Sequence, residues 1–423
     1  GGVLAGGRPQ HRPPGWGGPQ SSRMAMGIPI LDPRPLDTVA EGKYKLISRL
    51  TNGGFSQVWR GVDSSTMVSV AVKVEDYEDD QQALQLEDEA ALLRGLSDLE
   101  LPEGFPRVLY SGDEGHYHVM VMEMLGESVG SLTESQGDSR VTIGEAALAT
   151  LAEQMLSRIA FLHSRGILHR DVKPENFLFG LGPKAAHVYL VDFGLSRRYI
   201  EQGRHIPRRN NCSPVGTMRY ASVNVLRGVT PSRRDDLEAL GYVVVYLALG
   251  YLPWSGLGPF LGDDLHEMRW RILERKESVS LDVLCDGLPE GLETYLREVR
   301  ALSFAETPDY SRLCGHLTSM RGSADRALPW LRGIQGLEPI KPWRSFPQPK
   351  QETLQNAGGS PWEKFTASFC TACSCQEVRV KAEYVAVRNR SDTEDIMSPT
   401  VVIIDEPRSL SDTDSDSDSS SGN

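Results

Sequence analysis

The sequence predicts an α+β fold in two unequal parts: a small antiparallel sheet with one helix, then a larger and mainly helical body. Three observations carry that prediction. Over Lys43 to Arg60, Met67 to Val74 and Val119 to Met124 apolar residues alternate or run in short β-branched stretches, as strands do. From Leu148 onward they recur at spacings of three and four, as one face of a helix does. Gly and Pro collect at the two ends, so tails at 1–40 and 334–423 are expected to flank one folded unit at 41–333.

In chain order, Lys43 to Arg60 and Met67 to Val74 read as strands separated by a turn at Asp63-Ser64-Ser65. Ala83 to Leu96 reads as a helix, and Val119 to Met124 as a short apolar strand. Leu148, Leu151, Met155, Ile159 and Leu162 make one apolar stripe, and Gly166 supplies the C-terminal stop of that helix. The most apolar run, Ala239 to Leu252, is too short to span a bilayer and reads as a buried helix. The folded unit is expected to end near Gly333.

Composition narrows the function. A chain of 423 residues, 39% apolar, can bury a large core. Its net charge of −12 argues against a general nucleic-acid binder, which would carry a basic stripe. Six irregularly placed cysteines do not form a secreted disulfide framework. The N-terminus has no continuous apolar stretch, so no signal peptide is expected. The expectation is a soluble monomer of the cytoplasm or nucleus with no membrane partner. The first residue is Gly and not Met, so a fragment, or a start missing from the sequence, is expected.

The chemistry is concentrated in His169-Arg170-Asp171-Val172-Lys173-Pro174-Glu175-Asn176, which places a carboxylate, an ammonium and a carboxamide on one short loop. Phosphoryl transfer from a nucleotide needs that set: an acceptor for the substrate hydroxyl proton, a cation beside the moving group, and an oxygen ligand for magnesium. Asp192-Phe193-Gly194 adds a second metal ligand, and Val70-Ala71-Val72-Lys73 adds a lysine for the nucleotide phosphates. The chain therefore reads as a protein kinase using ATP and Mg²⁺, with protein substrates. Asp171 is the expected base, Lys173 the neutralising cation, and Asn176 and Asp192 the magnesium ligands. Singly, each reads as a solvated surface group; Lys73, Asp171, Lys173, Asn176 and Asp192 in this order do not. The Asp-x-Lys spacing is typical of kinases acting on Ser and Thr.

Lys73 needs a carboxylate to hold it. Glu87, on the following helix beside Leu84 and Leu86, is the expected partner, with Glu89 the alternative. His169 reads as a packed residue that shapes the loop. Arg170 reads equally as the partner of an acidic or phosphorylated group in the activation segment and as half of a structural salt bridge. Thr51-Asn52-Gly53-Gly54-Phe55-Ser56-Gln57-Val58 is the expected phosphate-covering turn, where Gly53 and Gly54 let backbone amides approach closely. Only Gly53 occupies one of the three usual glycine positions. Thr51 and Ser56 stand at the outer two, which weakens the expected grip on nucleotide. Val58 and Ala71 are assigned to the same nucleotide pocket.

Several segments narrow the resemblance: Gly180-Leu181-Gly182, Asp192 to Tyr199, Gly216 to Asn224, Ser232 to Tyr242, Leu252 to Leu257 and Thr307 to Ser311. Together they resemble the casein kinase 1 family over about residues 44–333. Ser222-Val223-Asn224, where most kinases carry Ala-Pro-Glu, is a marker of that family. The resemblance implies a two-lobed kinase fold and transfer of phosphate from Mg-ATP to protein Ser or Thr. It makes Val119 to Gly126 the hinge, Met122 the gatekeeper, and Glu123 and Leu125 the backbone partners of adenine. It makes Asp236 the buried brace of the catalytic loop, and it implies no need for phosphorylation of the activation segment. Arg219 matches one part of the family's pocket for primed substrates. Gly258 to Glu267 has no Lys or Arg where that pocket's basic cluster is expected, so weak preference for primed substrates follows.

The last 33 residues carry nine acidic side chains and one basic, net −8, and read as a solvated tail that is itself a phosphorylation target. Its alternating Ser and Asp lack the Gly and closing Glu of a calcium loop. Val401-Val402-Ile403-Ile404, with acids behind it, resembles a SUMO-interacting motif, in which a β-branched run adds a strand to a partner's sheet edge. Cys370, Cys373 and Cys375 are three thiols without a nearby His, too few for a zinc site. Gln376 to Arg390 alternates as a strand does. Two readings stand beside the active kinase: a pseudokinase scaffold, supported by the altered glycine turn, and an adaptor working through the tail.

Overall fold

The computed structural model describes residues 35–52, 56–76, 84–97, 104–133, 143–257, 265–322, 328 and 331. Gly53 and Gly54, the acidic tail, Val401 to Ile404, Cys370, Cys373, Cys375 and the alternating stretch Gln376 to Arg390 lie outside the described residues. So does 258–264, most of the segment that lacks basic residues.

A six-stranded antiparallel sheet opens the fold, in the order β1-β2-β3-β4-β6-β5. Its strands are β1 (Thr38–Val39), β2 (Tyr44–Asn52), β3 (Ser56–Asp63), β4 (Ser69–Asp76), β5 (Val108–Glu114) and β6 (Tyr117–Glu123), with helix α1 (Leu84–Ser97) between β4 and β5. The period of two along β4 sorts its side chains. Val70, Val72 and Val74 pack on one face with Trp59, Leu46, Val119 and Val121. Ala71 and Lys73 therefore take the other face. In the ladder Lys73 stands opposite Val58 and Met120, and Ala71 opposite Met122. Cross-strand partners share a face, so Val58, Ala71, Lys73 and Met122 gather on the side away from the valines.

Helix α1 covers that side with Leu86, Ala90, Leu93 and Leu96, all buried. These positions are three and four apart and make a single stripe. Glu89 belongs to the stripe and is buried; Glu87 lies off it and is exposed.

The remaining chain is mainly helical. Helix α2 (Glu145–Ser164) is followed by β7 (Ile167–Leu168), β8 (Phe177–Phe179), β9 (Val188–Leu190), β10 (Arg197–Arg198), and the short hairpin β11 (Ile200–Glu201) and β12 (Arg204–His205). Helices α3 (Val223–Leu226), α4 (Arg233–Leu249), α5 (Leu265–Ser278), α6 (Leu281–Leu284), α7 (Glu290–Ala301) and α8 (Tyr310–Ser319) complete it. The stripe read along Leu148 to Leu162 is buried in α2, and Gly166 takes φ +74° just beyond the helix end. Ala239 to Leu249 lies within α4, whose entry is fixed by a capping box between Ser232 and Asp235. Gly250, at φ +76°, ends α4. Among the described residues no helix is long and apolar enough to cross a membrane.

Candidate active site

Two loops and a strand converge between the sheet and the helices. The loop 169–176 joins β7 to β8, Asp192 follows β9, and Lys73 comes from β4. The first loop is set from below by Asp236 on α4. Its Oδ2 accepts from the His169 N–H at 2.8 Å and its Oδ1 from the Arg170 N–H at 2.9 Å. Arg170 takes φ +68°. A non-glycine residue held there costs roughly 1–3 kcal/mol, and hydrogen bonds to a buried carboxylate, roughly 1.5–3 kcal/mol each, offset it. His169 is fully buried, donates toward Val191 O at 3.1 Å, and meets the Phe193 ring edge-on at 5.4 Å. Phe193 in turn packs on Phe105, and Phe105 on Phe161 of α2. Arg170 donates its Nε–H to Leu195 O in the activation segment.

Asp171 is held on both carboxylate oxygens. Thr217 donates its N–H and its hydroxyl to Oδ1, each at 2.8 Å, and the Lys173 ammonium meets Oδ2 at 2.6 Å. Asn176 donates from Nδ2 to Asp171 O at 2.9 Å. Burial works against the Lys173 charge, but Asp171 and Asp192 outweigh it and raise its pKa. Gly216 explains how Thr217 comes so close: at φ +81°, a Cβ there would sit 2.3 Å from Arg170 O. Only glycine fits.

On the opposite wall the Lys73 ammonium lies 2.7 Å from Glu89 and 2.9 Å from Asp192. Burial opposes its charge, yet Asp192 and Glu89 together raise its pKa. Lys73, followed by burial acting the other way and by Lys173, holds the Asp192 carboxyl below the usual range. Asp192 keeps 44% of its side chain exposed toward the opening and takes φ +64°. Glu89 also accepts from the Phe193 N–H at 3.0 Å, so one carboxylate ties α1 to the lysine and to the Asp192 loop.

The expected partner Glu87 is therefore corrected to Glu89. Taking Leu84 and Leu86 as the markers of the packed face missed the stripe Leu86, Ala90, Leu93, which turns Glu87 to solvent. That stripe was present in the sequence. Sequence reasoning gives Thr217 no role, although Gly216 before it marks a close backbone approach.

The donor set suits a hard divalent cation. Asp192 offers carboxylate oxygens, and Asn176, whose Nδ2 is taken by Asp171 O, offers its amide oxygen. Two such ligands match a magnesium ion that draws its remaining ligands from phosphates and water. Strand β6 ends at Glu123, whose N–H is donated to Arg107 O and whose side chain accepts from the Arg107 N–H. Beyond it Leu125 is buried, and Gly126 donates to Phe179 O at 2.7 Å, which pins the chain after β6 to the end of β8.

Behind the loop, His163 of α2 joins Asp236 to α8. Its Nε2 lies 2.9 Å from Asp236 Oδ2 and its Nδ1 2.8 Å from the Tyr310 hydroxyl. Burial pushes its pKa below the ordinary 6.5, against the pull of Asp236. The folded chain thus holds His163 neutral while the unfolded chain takes up a proton below pH 6.5. Stability from this residue is complete above 6.5 and falls as pH drops below it, by up to about 1.4 kcal/mol per pH unit until the folded pKa is reached. Asp235, which burial raises to about 6 despite its bond from Ser222, works oppositely below that pH. The expected result is a native Tm that falls more on acidification through pH 6.5 than the Tm of a His163→Gln variant, which has lost this part of the slope. Parallel Tm profiles of the two proteins would contradict it.

A family model described as protein kinase domain matches residues 44–277, more than half of the 423-residue chain.

Proposed function

The chain belongs to the protein kinase family, and from that premise we propose that it is an active serine/threonine kinase resembling casein kinase 1. One observation carries the reading: the Lys73 ammonium bridges Glu89 of α1 and Asp192 at 2.7 and 2.9 Å, so the nucleotide-side machinery stands assembled. Across the cleft Asp171 is held by Thr217 and Lys173.

In this proposal ATP lies against Val58, Ala71 and Met122, with adenine on the Glu123 carbonyl and the Leu125 N–H, and with Gly53 and Gly54 over the phosphates. Asn176 and Asp192 hold magnesium, which neutralises phosphate charge. Asp171 orients the Ser or Thr hydroxyl and takes its proton as oxygen attacks the γ-phosphorus. The bond from that phosphorus to the bridging β,γ-oxygen breaks, and the electron pair leaves with ADP. Lys173, 2.6 Å from Asp171, offsets charge on the moving phosphoryl. The change at the two outer glycine positions favours a pseudokinase, but the intact set Lys73, Asp171, Lys173, Asn176 and Asp192 outweighs it.

The test uses peptides that differ only in Ser, Thr or Tyr at the acceptor, and in a phosphoserine upstream of it. Phosphoserine and phosphothreonine are expected, without phosphotyrosine. The primed and unprimed forms should agree in kcat/KM within about fivefold, the factor given by an exposed ion pair of about 1 kcal/mol. Phosphotyrosine as the main product would overturn the serine/threonine assignment, and strong selectivity for the primed peptide would overturn the substrate preference.

A further inference from the structure

Helix α5 carries a lysine where a core residue belongs. Met268, Ile272 and Lys276 follow one another at intervals of four, and all three are buried. Lys276 is fully enclosed. A buried amine is retained only when its hydrogens find acceptors. Those of Lys276 reach Met218 O at 3.1 Å and Ala221 O at 2.5 Å. The Tyr242 and Trp254 rings lie 4.7 and 4.9 Å from Nζ and complete its enclosure. Trp254, also buried, donates its Nε1–H to Arg219 O at 2.7 Å. Burial drives the Lys276 pKa well down against the pull of Glu238, but the neutral amine also has two hydrogens to donate.

Three carbonyls in one short segment, those of 218, 219 and 221, are thus held by two side chains from outside it. The other end of the same segment is Thr217, bonded to Asp171 through N–H and hydroxyl. The segment is strung between the catalytic carboxylate and α5. A polypeptide that brings a hydroxyl to Asp171 must run beside it.

We propose that Lys276 and Trp254 are positioning residues that hold segment 217–221 as the platform for the substrate polypeptide, and so set affinity for protein substrate and not for nucleotide. The identity of the substrate rests on the kinase reading above; the anchor itself does not.

Hydrogen exchange and steady-state kinetics on the full chain test the two parts separately. In Lys276→Met, amides of 216–224 should exchange about tenfold faster or more, the scale of losing a hydrogen bond to buried carbonyls, while those of 169–176 keep the wild-type rate. KM for a serine peptide should rise by a similar factor, with KM for ATP unchanged. Trp254→Phe keeps an aromatic ring over Lys276 and removes the Nε1–H donated to Arg219 O, so it should show the same pattern more weakly. It decides the matter if Lys276→Met does not fold. Unchanged exchange in 216–224 overturns the anchor. Faster exchange with peptide and ATP KM rising together, or with neither rising, overturns the substrate role. Absence of transfer by the wild type to any peptide overturns the kinase reading and with it the substrate role, and the exchange data still decide the anchor.

Discussion

Asp171→Asn lowers kcat for serine-peptide phosphorylation by about 10²–10⁴-fold, the usual contribution of a positioned general base, and leaves KM for ATP close to wild type. The geometry explains why so small a change is so costly. Oδ1 of Asp171 accepts two hydrogens from Thr217, and an asparagine keeps those bonds by placing its carbonyl oxygen there. Its NH₂ then faces the Lys173 ammonium, which lies 2.6 Å from Oδ2 in the native site. Two donors meet, and the group that would take the hydroxyl proton is gone. Asp171 contacts none of the residues assigned to adenine, so nucleotide affinity should be spared. Rapid-quench kinetics with saturating Mg-ATP would show this as a lost chemical step. A variant that transfers phosphate at the wild-type rate would remove Asp171 from the mechanism.

Glu89→Ala and Glu87→Ala should differ sharply although the residues are two apart. Glu89 is buried, pairs with Lys73 at 2.7 Å and accepts from the Phe193 N–H. Removing one partner of a buried pair costs about 3–5 kcal/mol, and the lower figure is expected because Lys73 keeps Asp192. A Tm lower by about 6–10 °C follows for a domain of this size. KM for ATP should also rise, since the lysine loses its fixed position. Glu87 is exposed on the other side of α1, and its removal should stay within about 0.5 kcal/mol. Thermal denaturation and ATP titration of both variants check the pair. The opposite ranking would mean that α1 sits in another rotation.

The chemistry was more legible in the sequence than the packing that positions it. Lys73, Asp171, Lys173, Asn176 and Asp192 stand out because their spacing has few other uses, and the structure brings Lys73 to Asp192 and Lys173 to Asp171. The first strands and α2 were legible because their periods are clean, and the buried run in α4 because it is continuously apolar. Strand β5 (Val108–Glu114) was not. It lies at the sheet edge with its residues half-buried, and its sequence, with Ser111, Gly112 and two acids, has no alternation to read. Glu87 was preferred over Glu89 through a phase error on a short helix, where shifting the stripe by two residues turns it to a different side. Thr217 and Lys276 act through backbone carbonyls or on a partner 46 residues away, and no local spacing marks such contacts.

The central claim is that this assembled site transfers phosphate. It is tested most directly by following a single turnover of γ-labelled Mg-ATP on the full chain with a serine peptide, with ATP binding measured in parallel by thermal shift. The account predicts that phosphoserine forms in the wild type, that chelating the metal with EDTA abolishes it, and that replacing Asp171 by Asn slows it by about 10²–10⁴-fold. Nucleotide bound by the wild type with no phosphoserine formed would contradict it.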